Sequence, residues 1–297
     1  MSVAEAPPAQ ATRARGRRRA RREFDSPRFL WVFLGLFYLW LFAPILVVAL
    51  FSFNAQNSLQ VFSGFSLRWY DAFFSDPGLR SSLVASLEIS LVATLVGTVL
   101  GTTLALGLVR ARSRIAPTAN VLMLIPLVTP EIVAGVSALL LFTQVGLQLS
   151  LTTIILAQIT FSISYVTVVV RARLTSLNRE VEQAAMDLGA TRLQTLRLVT
   201  LPALWPAIIA AGLLVFALTF DDFVLSFFTT GVSPQPLPVR IYSAIRFGIK
   251  PTINAVGTFM LVISMLLVAL ALVLPWLMGR RGSSIATVMG EETGGRR

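Results

Sequence analysis

The sequence has no cysteine and no histidine among its 297 residues, and a single lysine, Lys250. The missing cysteines exclude a disulfide framework and thiolate chemistry. The missing histidines remove imidazole metal ligands and the side chain best suited to proton transfer near neutral pH. Charge is scarce as well: 13% of residues are charged, 55% are hydrophobic, and mean hydropathy is +0.77. Soluble domains carry about 25% charged residues, and their apolar residues alternate with polar ones instead of running uninterrupted as they do here. The implied solvent is lipid.

A phosphate-binding loop is missing too. Such a loop needs GxxxxGK followed by Ser or Thr, and the one lysine sits in Phe247-Gly248-Ile249-Lys250-Pro251, without that glycine spacing. Any nucleotide hydrolysis coupled to this chain would belong to another polypeptide.

What is present is a series of apolar runs. Phe29 to Phe53 carries no charge and exceeds the roughly 7–15 residues of a signal-peptide core, so it is expected to stay as a first span. A crossing needs about 20 apolar residues, and further candidates lie near 81–108, 118–143, 151–170, 204–228 and 256–278. The pattern predicts an all-α polytopic membrane protein with six transmembrane helices. Gln144, Gly146, Gln148 and Ser150 interrupt the uncharged stretch Ile132–Val170 and predict a tight turn between the third and fourth spans.

The net charge of +11 comes mainly from basic residues between these runs. With the N-terminus inside, 20 of the 25 fall on one side; the other side holds Arg68, Arg80, Arg240, Arg246 and Lys250. The positive-inside rule then makes both termini cytoplasmic. Residues 1–28, rich in arginine and poor in apolar surface, read as a disordered basic arm. Residues 29–278 read as the six-helix transmembrane domain and 279–297 as a cytoplasmic tail. Trp31, Trp40, Trp69 and Tyr70, near span ends, fit an interfacial aromatic belt.

Four acids fall inside predicted spans: Glu88, Glu131, Asp221 and Asp222. A charge at the bilayer centre costs roughly 2.5–3.5 kcal/mol on insertion scales, so each is a functional candidate. No basic residue shares those spans, so the acids are either protonated or face water and a cation. Asp221 and Asp222, about 100° apart on a helix, can border one cavity. Glu131 follows Pro130, with Pro126 one turn earlier. Prolines free backbone carbonyls, so the kink either lines a cation path or merely shapes the bundle. Glu88 reads as a side chain snorkelling from a span end.

Residues 171–202 form a polar to amphipathic connection between the fourth and fifth spans. Asn178 can cap a helix with Glu180 and Glu182 in its first turns, and Gly189 can end it. A second short helix from about Thr191 would place Leu193, Leu196 and Val199 on one face until Pro202 closes it.

Gln183-Ala184-Ala185, Gly189, Val199 and Leu201-Pro202 together resemble the EAA loop of binding-protein-dependent ABC permeases, with Gln183 at a usual Glu position and Val199 at a usual Ile. The resemblance implies that this loop docks into a groove on an ATPase. It assigns that coupling to Glu182, Gln183, Ala184, Ala185, Asp187, Gly189, Leu201 and Pro202. The segments LTFDDFVLSFFTTG, LPVRIYSAIRFGIKPTINAVGT, IPLVTPEIVAG and SLRWYDAFF resemble the spermidine/putrescine branch of these permeases. That likeness implies a type I ABC importer permease fold in a bacterial inner membrane. It also implies uptake of a linear polycation past Asp221, Asp222 and Glu131. The implied partners are a second related permease, two ATPase subunits that bind the ATP and Mg, and an extracytoplasmic binding protein; no cofactor is expected in this chain and no nucleic-acid partner. Three other readings are a permease of the same kind for another small solute, a stand-alone carboxylate-coupled transporter, which leaves the large loop unexplained, and an intramembrane aspartyl enzyme, which adjacent residues on one helix suit poorly.

Overall fold

The computed structural model describes residues 27–58, 60–110, 116–232, 234–246 and 250–293. The basic arm up to residue 26, Arg112, Arg114 and the last residues 294–297 lie outside them. The described residues are almost wholly helical. Five helices are long and apolar enough to cross a membrane, and a sharply bent pair makes a sixth candidate.

Helix α1, Pro27–Phe51, stands as its own unit; its 22 residues from Leu30 have a mean hydropathy of 2.4.

From Ser52 on, the helices form a second packed unit. Its entry is a knot around the buried Asn54, whose Nδ2 donates to the carbonyls of Ser58 (2.9 Å) and Val61 (2.8 Å) and whose Oδ1 accepts from the Ser63 amide (2.9 Å). An amide side chain offers two donors and two acceptor sites, which is why one Asn can hold this loop closed. The short helix α2, Arg68–Ser75, packs beneath it. Trp69 is buried and donates its indole N–H to Asn54 O at 2.7 Å. It therefore belongs to the knot and not to the expected belt.

The 34-residue helix α3, Pro77–Arg110, runs against α6, Leu151–Ser176. Gly97 and Gly101 make the close approach possible. A Cβ at Gly101 would lie 2.7 Å from Val166 Cβ, and one at Gly97 would run into Ser162. This is the small-xxx-small packing that brings helices together where lipid gives no hydrophobic drive. Thr167 Oγ1 donates to Gly101 O across the contact. Between them lie α4, Ala116–Val128, and α5, Glu131–Gln144. The turn expected between spans three and four follows α5, with Gly146 at φ +76°.

After α6 come α7, Arg179–Asp187, and α8, Arg192–Thr195, which passes through a π turn, Leu196–Thr200, into α9, Leu201–Asp221. Short α10, Val224–Thr229, and α11, Leu237–Arg246, lead to α12, Pro251–Thr293, a helix that continues past the expected span end at 278. One apolar cluster (Ala105, Val166, Val170, Leu204, Ile208, Val215) joins α3, α6 and α9; another (Phe73, Leu79, Phe220, Leu237, Val256, Met260) joins α9 and α12 to α2 and α11.

Candidate solute path and docking hairpin

Two helix breaks bring the acids together. Between α4 and α5 the chain turns by 106°. Pro130 has no N–H and pushes the preceding residue out of helical conformation. Thr129 compensates by donating both its amide (2.9 Å) and its hydroxyl (2.6 Å) to Ile125 O. Glu131 thus opens α5, where the helix dipole favours a carboxylate.

The second break corrects an expectation. The fifth span does not run through 228. It stops at Asp221, and Asp222 adopts extended backbone (φ −65°, ψ 119°). The two aspartates are therefore not successive positions on one helix. Asp222 turns inward: Oδ2 accepts from Gln158 Nε2 at 2.7 Å and from the Ser226 amide at 2.8 Å, and Oδ1 from the Leu225 amide at 3.4 Å. It caps α10. The broken segments then pack on each other, because Gly135 of α5 admits the Phe228 ring, with a Cβ there lying 2.7 Å from Phe228 Cδ2.

Asp221 is exposed at the end of α9. A cavity of about 360 Å³ is lined by Glu131, Asp221 and Asp222, by Leu218 and Phe223, and by Ser264 of α12. Ser264 Oγ is buried beside the Asp221 carboxylate. A smaller adjoining space of about 60 Å³ connects Glu131 and Asp222 to Gln158 and Tyr165. Among the described residues no arginine or lysine pairs with these acids; the ion pair found is Arg110–Glu182, elsewhere. Glu88, by contrast, is exposed in the first third of α3, 11 residues in from Pro77, and does not line this cavity.

The loop after α6 is a helical hairpin, as its capping residues require. Asn178 Oδ1 accepts from the Glu180 amide at 3.0 Å. Gly189, at φ +92°, ends α7 with the Ala190 amide bonded to Ala185 O at 3.1 Å, the pattern of a left-handed C-terminal cap. Thr191 and Gln194 cap α8 reciprocally. Pro202 does not close this second helix, contrary to expectation. The helix continues from Arg192 to Asp221 because the π turn directly before the proline absorbs its missing donor.

The eight loop residues divide in two. Gln183, Ala184, Asp187 and Gly189 are exposed, beside Val181 and a Leu188 that is 90% exposed. Ala185 is half-buried and Pro202 exposed at the start of α9. Leu201 packs on the core. Glu182 points back to the bundle, where Oε1 accepts from Arg110 Nη2 at 2.9 Å and from Thr200 Oγ1 at 2.6 Å.

The sequence model of the family described as "Binding-protein-dependent transport system inner membrane component" matches residues 97–281, a stretch that holds the acids and the whole hairpin. The chain belongs to this family. It is 39% identical over 237 residues to the putrescine transport system permease protein PotI of Escherichia coli strain K12, covering 77% of this chain and 84% of that one. It is 36% identical over 239 residues to the spermidine/putrescine transport system permease protein PotC of Haemophilus influenzae, covering 80% and 93%. Its fold matches a bacterial ABC transporter for the acidic polysaccharide alginate (TM-score 0.62, 16% identity, 90% of this chain and 99% of that one). The methionine transporter MetNI in an inward-facing form also matches (0.53, 19%, 71% and 99%).

A permease component of this family is a multi-pass inner-membrane subunit that works with an ATPase and a substrate-binding protein. Membership sets aside the stand-alone transporter, and the divergence of Asp221 and Asp222 sets aside the aspartyl dyad. Sequence reasoning missed Gln158 and Ser264. Each is a polar residue inside an apolar run, a signal that weighs less than a charge but points the same way.

Proposed function

We propose that this chain is a polyamine-importing permease, oriented with both termini cytoplasmic, paired with a second related permease above two ATPase subunits and fed by an extracytoplasmic binding protein. The observation that carries the substrate class is the cavity at the helix breaks. Asp221 and Glu131 open onto it with no basic residue among the described ones to neutralise them, while Leu218, Val224 and Val268 supply apolar wall. A linear diamine needs that combination, with carboxylates for its ammonium ends and apolar surface for its methylenes. Holding unpaired carboxylates within membrane-spanning helices is costly unless a cation accompanies them. The names of the 34–39% identical relatives support the same class.

The hairpin carries the energy input. Gln183, Ala184, Asp187 and Leu188 face outward as a helix-in-groove surface, the ATPase holds ATP and Mg, and its closure moves the bundle between outward and inward access. The test is to reconstitute the assembled complex with its binding protein and measure ATP hydrolysis and uptake with spermidine and putrescine. Stimulation by either supports the reading. Hydrolysis indifferent to both, but stimulated by another solute, overturns the polyamine assignment.

A further inference from the structure

The docking helix α7 has no buried residue. Beneath it lies a space of about 570 Å³ lined by Val109, Leu174, Leu177, Met186 and Thr195 among others, so apolar packing does not fix the angle at which the helix stands off the bundle. One polar junction bridges the gap. Arg110 Nη2 donates to Glu182 Oε1 at 2.9 Å and to Thr200 Oγ1 at 3.2 Å, and Thr200 Oγ1 donates to the same Glu182 oxygen at 2.6 Å. The three residues come from three elements: the last residue of α3, the docking helix, and the final residue of the π turn that leads into α9. The π turn has a reason here, since an inserted residue shifts the phase of the helix and aims a side chain that a regular helix would turn elsewhere.

We infer that Arg110, Glu182 and Thr200 form a tie that transmits ATPase movement from the docking helix to α3 and α9, and that Glu182 is a positioning residue rather than a contact to the ATPase. A charge-assisted junction suits this task because it fixes direction as well as distance. The helix it pulls on is a continuous rod. At Ser86, 24 residues from Arg110 and so about 36 Å along the axis, the side-chain oxygen of α3 accepts the amide of Leu237 at 2.8 Å, where α11 begins. The Tyr242 ring of α11 packs at a 43° tilt on Phe223, with ring centroids 4.8 Å apart, and Phe223 lines the acidic cavity. The tie thus joins the docking helix to the far wall of the path through one rigid element.

The inference rests on the hairpin being the ATPase dock, and the test separates the two. In the reconstituted full complex, Glu182→Ala and Arg110→Ala should keep the ATPase subunits bound but lower solute taken up per ATP hydrolysed by roughly five- to tenfold, the upper range for one net hydrogen bond in a partly exposed pair. The charge swap R110E/E182R should recover part of that ratio, which a general loss of folding would not allow. Glu182→Gln and Thr200→Val, which keep side-chain volume, should give smaller losses in the same direction. Because the chain has no cysteine of its own, Tyr242→Cys can report on the outer wall by its rate of thiol labelling. ATP should change that rate in the otherwise unaltered chain and no longer do so with Glu182→Ala. An unchanged uptake-to-hydrolysis ratio, or ATPase loss that the swap does not repair, would overturn the tie. An ATPase that fails to co-purify with the unaltered chain would instead overturn the docking reading.

Discussion

Asp221 and Glu131 of the bundle and Glu182 of the hairpin are held in opposite ways. Glu182 has a guanidinium at 2.9 Å and a hydroxyl at 2.6 Å, both on Oε1; its own chain engages that oxygen and so joins elements together. Asp221 and Glu131 border a cavity and meet no basic residue among the described ones. Asp222 stands between these cases, satisfied by two backbone amides and Gln158 instead of a cation. Under the proposal above, an acid engaged by its own chain holds structure, and one left open is free to meet a cation. Adjacent residues of one type thus acquire different tasks from the backbone break that separates them.

The sharpest way to break this comparison is to neutralise the open acids. Asp221→Asn and Glu131→Gln should each lower polyamine uptake by roughly ten- to a hundredfold, the worth of a charged hydrogen bond, while the complex assembles normally. Uptake within twofold of the original in both variants would remove the distinction between open and engaged acids. Gly189→Val comes next. A side chain at φ +92° costs about 1–2 kcal/mol, and the hairpin should loosen, weakening ATPase attachment by roughly five- to thirtyfold in co-purification titrations. Intact attachment and coupling there would show that hairpin geometry tolerates relaxation.

Asp222 supplies the third test. Asp222→Ala removes the cap of α10 and should destabilise the bundle by about 1 kcal/mol, whereas Asp222→Asn keeps an acceptor oxygen and should cost less than half of that. Thermal unfolding of the purified chain in detergent measures both. If Asn is as damaging as Ala, the charge matters more than the cap, and Asp222 rejoins Asp221 as an open acid.

Much of the fold was legible in the sequence because lipid imposes its own arithmetic. Uncharged runs of about 20 residues read as spans on length alone, and Gly146 and Gly189 sit at positive φ where turns were expected. Pro130 announced the first break in the same way. The second had no such marker. Asp222 breaks the helix because its carboxylate finds the amides of Leu225 and Ser226 and the distant side chain of Gln158, a partner 64 positions away that no local pattern displays. Glu182 was legible as part of a docking motif but not in its direction, since that depends on Arg110, 72 positions earlier. Trp69 misled for the same reason, as its partner Asn54 lies in a knot that only the folded loop creates.

The smallest effect asks why the second docking helix contains a π turn. Pro202 cannot donate a backbone hydrogen bond, and the turn just before it is wound so that the Leu201 amide reaches Leu196 O instead. Pro202→Ala restores the donor and lets the segment relax toward a regular helix. That would rotate Thr200 away from Glu182 while leaving the Arg110–Glu182 pair in place. Uptake per ATP should then fall only about twofold, in keeping with the modest worth of a partly exposed polar contact. Thr200→Val should match it, and the two together should be no worse than either, because both remove the same contact. Additive losses would mean that the proline and the threonine act separately, and that the π turn serves α9 alone rather than the junction with the docking helix.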